Sequence, residues 1–108
     1  MFFSERVILT IDDLKAPRKH YRLIEQLESA STSIAMNIAE GKGRQTTKEF
    51  IQFLYIARGS LFEVITLLVI LQKVGWIDNE KVIELEKLAE EITKMINSLI
   101  KSLRQKRL

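Results

Sequence analysis

One stretch, Thr46 to Lys73 (TTKEFIQFLYIARGSLFEVITLLVILQK), limits what this chain can become. It holds no proline and a single glycine, Gly59. Phe50, Phe53, Leu54, Ala57, Leu61, Val64, Leu68 and Leu71 recur at three- and four-residue steps, the period of one helix face. A second apolar face carries Ile51, Tyr55, Phe62, Ile65 and Val69, leaving a thin polar stripe through Gln52, Gly59, Glu63 and Thr66, with Arg58 beside it. A helix that is apolar almost all round must be covered on nearly all sides. At 1.5 Å per residue it is about 40 Å long. The remaining chain has to supply that cover, alone or with other copies.

The chain of 108 residues is expected to form one domain over residues 1–108, large enough to bury a core without disulfide or metal. It has no cysteine, which excludes disulfides and thiolate sites and fits a cytoplasmic setting. No signal-peptide pattern opens it. Its most apolar run, Val64 to Leu71, is short against the ~20 residues of a membrane span, so no membrane partner is expected.

Val7, Ile8, Ile11 and Leu14 suggest a short first helix, approximately residues 5–15, broken by Pro17. A second helix, approximately 18–40, carries Leu23, Leu27, Ala30, Ile34 and Ile38 on one face, and Gly41 and Gly43 are read as its C-terminal stop. Thr46 with Glu49 fits a capping box for the third helix, 47–73, which Gly75 closes. Asp78 is a candidate N-cap for a fourth, approximately 79–105, with Val82, Leu85, Ile92, Ile96, Leu99 and Leu103 along its stripe. No strand signal competes. Short loops make neighbouring helices antiparallel, so the fold class is all-α, an up-down-up-down four-helix bundle with a shortened first helix.

Formal net charge is +3, from 17 basic and 14 acidic side chains, and its distribution says more than its sum. In this topology the loop between helices two and three lies at the same end as both termini. That end gathers Lys42, Arg44 and Lys48 with Lys101, Arg104, Lys106 and Arg107, against Glu40 and Glu49. The other end mixes Lys15, Arg18, Lys19, His20, Arg22 and Lys73 with Asp12, Asp13, Asp78 and Glu80. A clustered basic end is the electrostatic footprint of phosphate backbones, and equally that of a solubilising tail and loop.

Enzymatic chemistry finds little support. His20 is the sole histidine, so no typical zinc site, Glu-x-x-His di-metal site or histidine-based acid–base pair can be assembled. Gly41-Lys42-Gly43 is too short to be a phosphate loop. No catalytic residue, metal or cofactor is expected. Asn37, Glu40, Gly41, Gly43, Arg44 and Glu49 are read as a structural network fixing the turn between helices two and three. Arg58 and Glu63 interrupt an apolar helix and, where buried, need partners.

The segment Ser33-Ile34-Ala35-Met36-Asn37-Ile38-Ala39-Glu40-Gly41-Lys42-Gly43-Arg44 is more specific. With Lys48-Glu49-Phe50-Ile51-Gln52-Phe53-Leu54 and Ala57-Arg58-Gly59-Ser60-Leu61-Phe62-Glu63, it resembles the bacterial family of 23S rRNA intervening-sequence proteins. That family's pattern runs S-I-x-x-N-I-A-E-G-x-G-R, K-E-F-x-x-F-L, A-x-G-S-L-x-E, and each fixed letter has its counterpart here. The resemblance implies a cytoplasmic, non-enzymatic four-helix bundle assembled as a homopentamer, some relatives being encoded inside insertions in large ribosomal RNA genes. It also reaches the accessory protein of diversity-generating retroelements, a similar pentamer that binds nucleic acid and a reverse transcriptase and has a turn similar to Pro17-Arg18-Lys19-His20.

By this resemblance the second apolar face, Ile51, Tyr55, Arg58, Phe62, Ile65 and Val69, is expected to meet neighbouring subunits. The basic end is expected to contact RNA or DNA. The alternative is a subunit that docks a reverse transcriptase or ribosome-associated protein without touching nucleic acid itself. The chain departs from the family at its front, where the first helix is short.

Overall fold

The computed structural model describes residues 2–12 and 21–107. Four helices follow one another: α1 (Phe2–Asp12), α2 (Tyr21–Lys42), α3 (Thr47–Lys73) and α4 (Asn79–Arg107). Among the described residues there is no strand. The helices pack as α1 on α2, α2 on α3, α3 on α4 and α4 on α1, an antiparallel bundle 51 Å long. The segments expected to end the first helix and begin the second, including Lys15, Pro17, Arg18, Lys19 and His20, lie outside the described residues.

The ends of α3 follow local chemistry. Thr46 has extended backbone and its Oγ1 accepts from Glu49 N at 3.1 Å, while its hydroxyl donates to Glu49 Oε1 at 2.9 Å. This satisfies one of the orphan donors that every helix N-terminus exposes. At the other end Trp76 N donates to Leu71 O (2.9 Å) and Gly75 N to Gln72 O (3.1 Å), a Schellman closure. Gly75 sits at φ 84°, where a side chain would be strained.

Gly41 and Gly43 behave differently from the expected helix stop. Gly75 alone among the described glycines has positive φ, and α2 continues through Gly41 to Lys42. Gly41 is there for space. A Cβ on it would sit 2.7 Å from Phe50 Cδ1 and 2.9 Å from Phe53 Cβ, so its missing side chain lets α2 close onto the start of α3.

The core divides lengthwise. One cluster joins Phe3 and Val7 of α1, Leu27, Ala30 and Ile34 of α2, Leu61 to Leu71 of α3, and Val82, Leu85 and Ala89 of α4. The other joins Ile51, Leu54 and Ala57 of α3 with Ile96 and Ile100 of α4, flanked by Ile38 of α2, and holds no residue of α1. Among the described residues α1 joins only the first of these clusters. Ser4 Oγ donates to Ser31 O (2.6 Å), Arg6 pairs with Glu84, and Phe2 lies in the recess lined by Ile83 and Leu88. The start of α1 therefore meets α2 and α4 partway along their lengths. The expectation that the N-terminus joins the basic end is corrected: Phe2 stops well short of it. By length and composition α3 could also cross a bilayer; here Ile51, Leu54, Ala57, Leu61, Val64, Leu67, Leu68 and Leu71 are buried in the bundle core, while Ile56, Phe62 and Ile70 are exposed.

Candidate functional site

The structure divides the expected basic end into two parts on opposite flanks of α3. Phe53 and Tyr55 are two residues apart, hence about 160° apart around the helix. Arg44 lies over the Phe53 ring, 4.8 Å from its centroid, and its Nη2 donates to Glu40 Oε1 at 2.8 Å. That cation is already paired. Gly43 N to Glu40 O (3.2 Å) and Arg44 N to Gly41 O (3.1 Å) complete the turn.

The turn network is thus smaller than the sequence suggests. Glu40, Gly41, Gly43 and Arg44 belong together, whereas Glu49 turns to Thr46. Asn37 turns back along α2 instead. Its Nδ2 donates to Ser33 O (2.8 Å) and Ser33 Oγ (2.9 Å), and Ser33 Oγ meets Ser60 Oγ at 2.9 Å. Ser33, Asn37, Gly41, Phe50, Phe53 and Ser60 are all letters of the recognisable motif. All six serve the α2–α3 contact, which shields their polar groups or lets the backbones approach.

The other flank is an open recess of about 470 Å³ between α3 and α4, lined by Tyr55, Arg58, Asn97, Ile100, Lys101, Arg104 and Gln105. Arg58 Nη1 donates to Asn97 Oδ1 at 2.7 Å. The guanidinium carbons of Arg58 and Arg104 lie 4.9 and 5.5 Å from the Tyr55 ring centroid, within cation–π range. Among the described residues that line this recess none is acidic. Helical spacing explains the grouping. Asn97, Lys101 and Arg104 fall at i, i+4 and i+7 on one face of α4, opposite Tyr55 and Arg58 at i and i+3 on α3. Two arginines over one ring, one of them fixed by an amide, with Lys101 in the same recess, form a surface suited to an anion that carries a planar group.

Arg58, a residue of the expected interface, lines this recess with Lys101 and Arg104. Asn97 and Gln105 were missed, although the polar spacing of Asn97, Lys101 and Arg104 along α4 was a usable signal. Lys48 is exposed, seven residues before Tyr55 and so on the same side of α3. Lys42 and Lys106 are exposed near the same end of the bundle, and Arg107 closes α4.

The proposed interface residues also separate. Ile51 is buried at 3% exposure inside its own chain, packed with Ile96 and Ile100, so it is not free for a partner as expected. Its position points between α3 and α4 rather than outward. Tyr55, Ile65 and Val69 are half-buried, and Phe62 is 53% exposed. Phe62 and Ile65 line a second groove with Leu61, Ala89, Glu86 and Glu90. Glu63 is exposed and has no burial to offset. Among the described residues no group of three or more His, Cys, Asp or Glu is placed to hold a metal.

No curated protein matches the chain. A crystal structure of a protein with unknown function from the S23 ribosomal protein family, from Bacteroides thetaiotaomicron, is similar to it with a TM-score of 0.84 and 28% identity. The match covers 93% of each chain. The family model for 23S rRNA-intervening sequence proteins matches residues 1–98. With the motif letters built into the α2–α3 contact and the whole bundle shared, the chain belongs to the 23S rRNA-intervening sequence protein family.

Proposed function

We propose that the chain is a non-enzymatic, self-associating cytoplasmic scaffold or accessory protein that binds RNA or DNA phosphates. The observation that carries this reading is the recess whose described lining holds Arg58 and Arg104 over Tyr55, with Lys101 beside them and no acidic residue. Lys48 extends it along α3, and Lys42 and Lys106 add to the field at the same end. Contacts of this kind position a phosphate backbone without reading its sequence. Arg44 contributes less than its place in the sequence suggests, because Glu40 already neutralises it.

Filter binding at two salt concentrations tests the reading. Affinity should fall steeply with salt, and Lys101→Glu with Arg104→Glu should abolish binding at physiological salt. Lys42→Glu with Arg44→Glu should weaken it less. Binding that ignores salt, or survives the Lys101 and Arg104 pair, overturns the model.

Self-association rests on the exposed Phe62 and half-buried Ile65 and Val69 of α3, with a pentamer as the expected state. Sedimentation of the purified chain tests it, and a stable monomer at micromolar concentration argues against it. The same apolar groove, edged by Glu86 and Glu90, favours one second reading. In that reading it docks a protein, such as a reverse transcriptase or a ribosome-associated factor, and nucleic acid is met only through that partner. A purified assembly that binds no RNA or DNA would favour this second reading.

A further inference from the structure

We propose that the recess between α3 and α4 seats an unpaired nucleotide, so that the protein prefers single-stranded RNA or DNA to duplex. This rests on the nucleic-acid reading above and names the form of nucleic acid. Duplex phosphates are met by exposed lysines and arginines on an open surface, and neither concavity nor an aromatic ring is needed for them. Here the cations sit in the walls of a recess of about 470 Å³ with Tyr55 among its lining residues. That volume falls within the range of small-molecule pockets, about 300–1,000 Å³.

The lining supplies what an unpaired nucleotide uses. Bases splayed from a single strand stack on aromatic rings and on arginine guanidinium planes. Arg58 and Arg104 are both held against Tyr55, so ring and guanidinium planes are assembled before any ligand arrives. Asn97 accepts one hydrogen bond from Arg58 and thereby steadies it. The other donors of that guanidinium remain available for a phosphate. Lys101 adds a mobile point charge at the recess, and the Gln105 amide can meet a base edge. Lys48, about 10 Å back along α3 and on the same side as Tyr55, continues the basic track for the adjoining backbone. Arg44 on the opposite flank shows the contrast. It too lies on an aromatic ring, but Glu40 is bonded to it and would repel a phosphate.

The test uses fluorescence anisotropy with the full chain, a 20-nucleotide single strand, its duplex, and the same single strand made abasic. The intact single strand should bind about tenfold tighter than the duplex, and removing its bases should abolish that advantage while leaving salt-dependent binding. Tyr55→Leu, checked for folding by circular dichroism, should lose the preference for the single strand and keep the salt dependence. Equal affinity for all three ligands, each falling with salt, overturns this inference and leaves phosphate binding standing. Absence of binding to every ligand overturns both. The abasic comparison on the unaltered protein keeps the test decisive if Tyr55→Leu fails to fold.

Discussion

One half of the bundle is built from four helices and the other from three, α2, α3 and α4. Where α1 is present, Phe3 and Val7 close the core, Ser4 donates to the Ser31 carbonyl and Arg6 pairs with Glu84. Beyond the start of α1, Leu54 and Ala57 are still fully buried, but by α2 and α4 alone. Met95, on the outer side of α4 in that half, is 70% exposed. Long polar side chains share in the cover there. Arg58 and Arg104 hold their guanidinium groups over the half-buried Tyr55 ring. Thinner helical cover therefore accompanies charge held close to the core, and the candidate site falls in this half.

The sharpest test of the difference is a matched pair of cavities. Leu68 in the four-helix half and Leu54 in the three-helix half are each fully buried. Removing such a side chain costs about 2–5 kcal/mol, and the cost rises with the cavity left behind. Leu68→Ala should fall near the top of that range, since helices on every side hold the cavity open. Leu54→Ala should fall near the bottom, because the less enclosed site can collapse. Urea midpoints at one protein concentration, with unchanged m values, measure both. Equal costs would mean that the three-helix half is as enclosed in solution as the other, as cover by a second copy would make it.

A smaller effect tests how that half is tied together. Gly41→Ala places a methyl group 2.9 Å from Phe53 Cβ, which cannot move without its helix. Overpacking of this kind costs about 1–3 kcal/mol. Gly43→Ala is the control. Its Cβ would come no nearer than 3.5 Å to the Glu40 carbonyl, so thermal melting should shift little. If both variants melt alike, the close approach of α2 to α3 at Gly41 is not what holds this half.

These two glycines also show where sequence reading stopped. Glycines after an apolar run suggest a helix stop, but the chain continues through Gly41 because Phe50 and Phe53 press against it. Periodicity and capping chemistry are local, so α3 could be read from Thr46, Glu49 and Gly75 with its bounds intact. The bundle follows from four apolar stripes and short connections. What local pattern cannot supply is the register between helices. The α3–α4 register places Arg58 beside Asn97 and Arg104 over Tyr55, and the α2–α3 register sets Ser33 against Ser60, with Asn37 bonded back to Ser33 rather than to Glu40. The basic residues were visible in the sequence, whereas their division between a paired flank and an open one was not.

At the edge between the halves, Ser4→Ala probes how firmly the start of α1 is held. Its buried hydroxyl donates to the Ser31 carbonyl at 2.6 Å. The loss should be about 0.5–1.5 kcal/mol, since that carbonyl keeps its place in α2. Amide exchange should quicken in α1 and leave the three-helix half unchanged. Faster exchange in both halves would show that they open as one unit, which would weaken the distinction between them.

The smallest expected effect carries a sign that depends on association. Gly59 lies mid-α3 on the exposed side, has no heavy atom within 4 Å of a built Cβ, and has no positive φ. In an isolated chain Gly59→Ala should stabilise by about 0.5–1 kcal/mol, because alanine loses less backbone freedom on entering a helix. If another copy packs its backbone against α3 at this point, the added methyl group stands in the way. Melting followed across a range of protein concentrations separates the two cases. An increase in Tm that is the same at every concentration marks a face open to water. A gain at low concentration that turns into a loss as assembly sets in places a neighbouring subunit on Gly59, beside the exposed Phe62, and shows that α3 takes part of its missing cover from another chain.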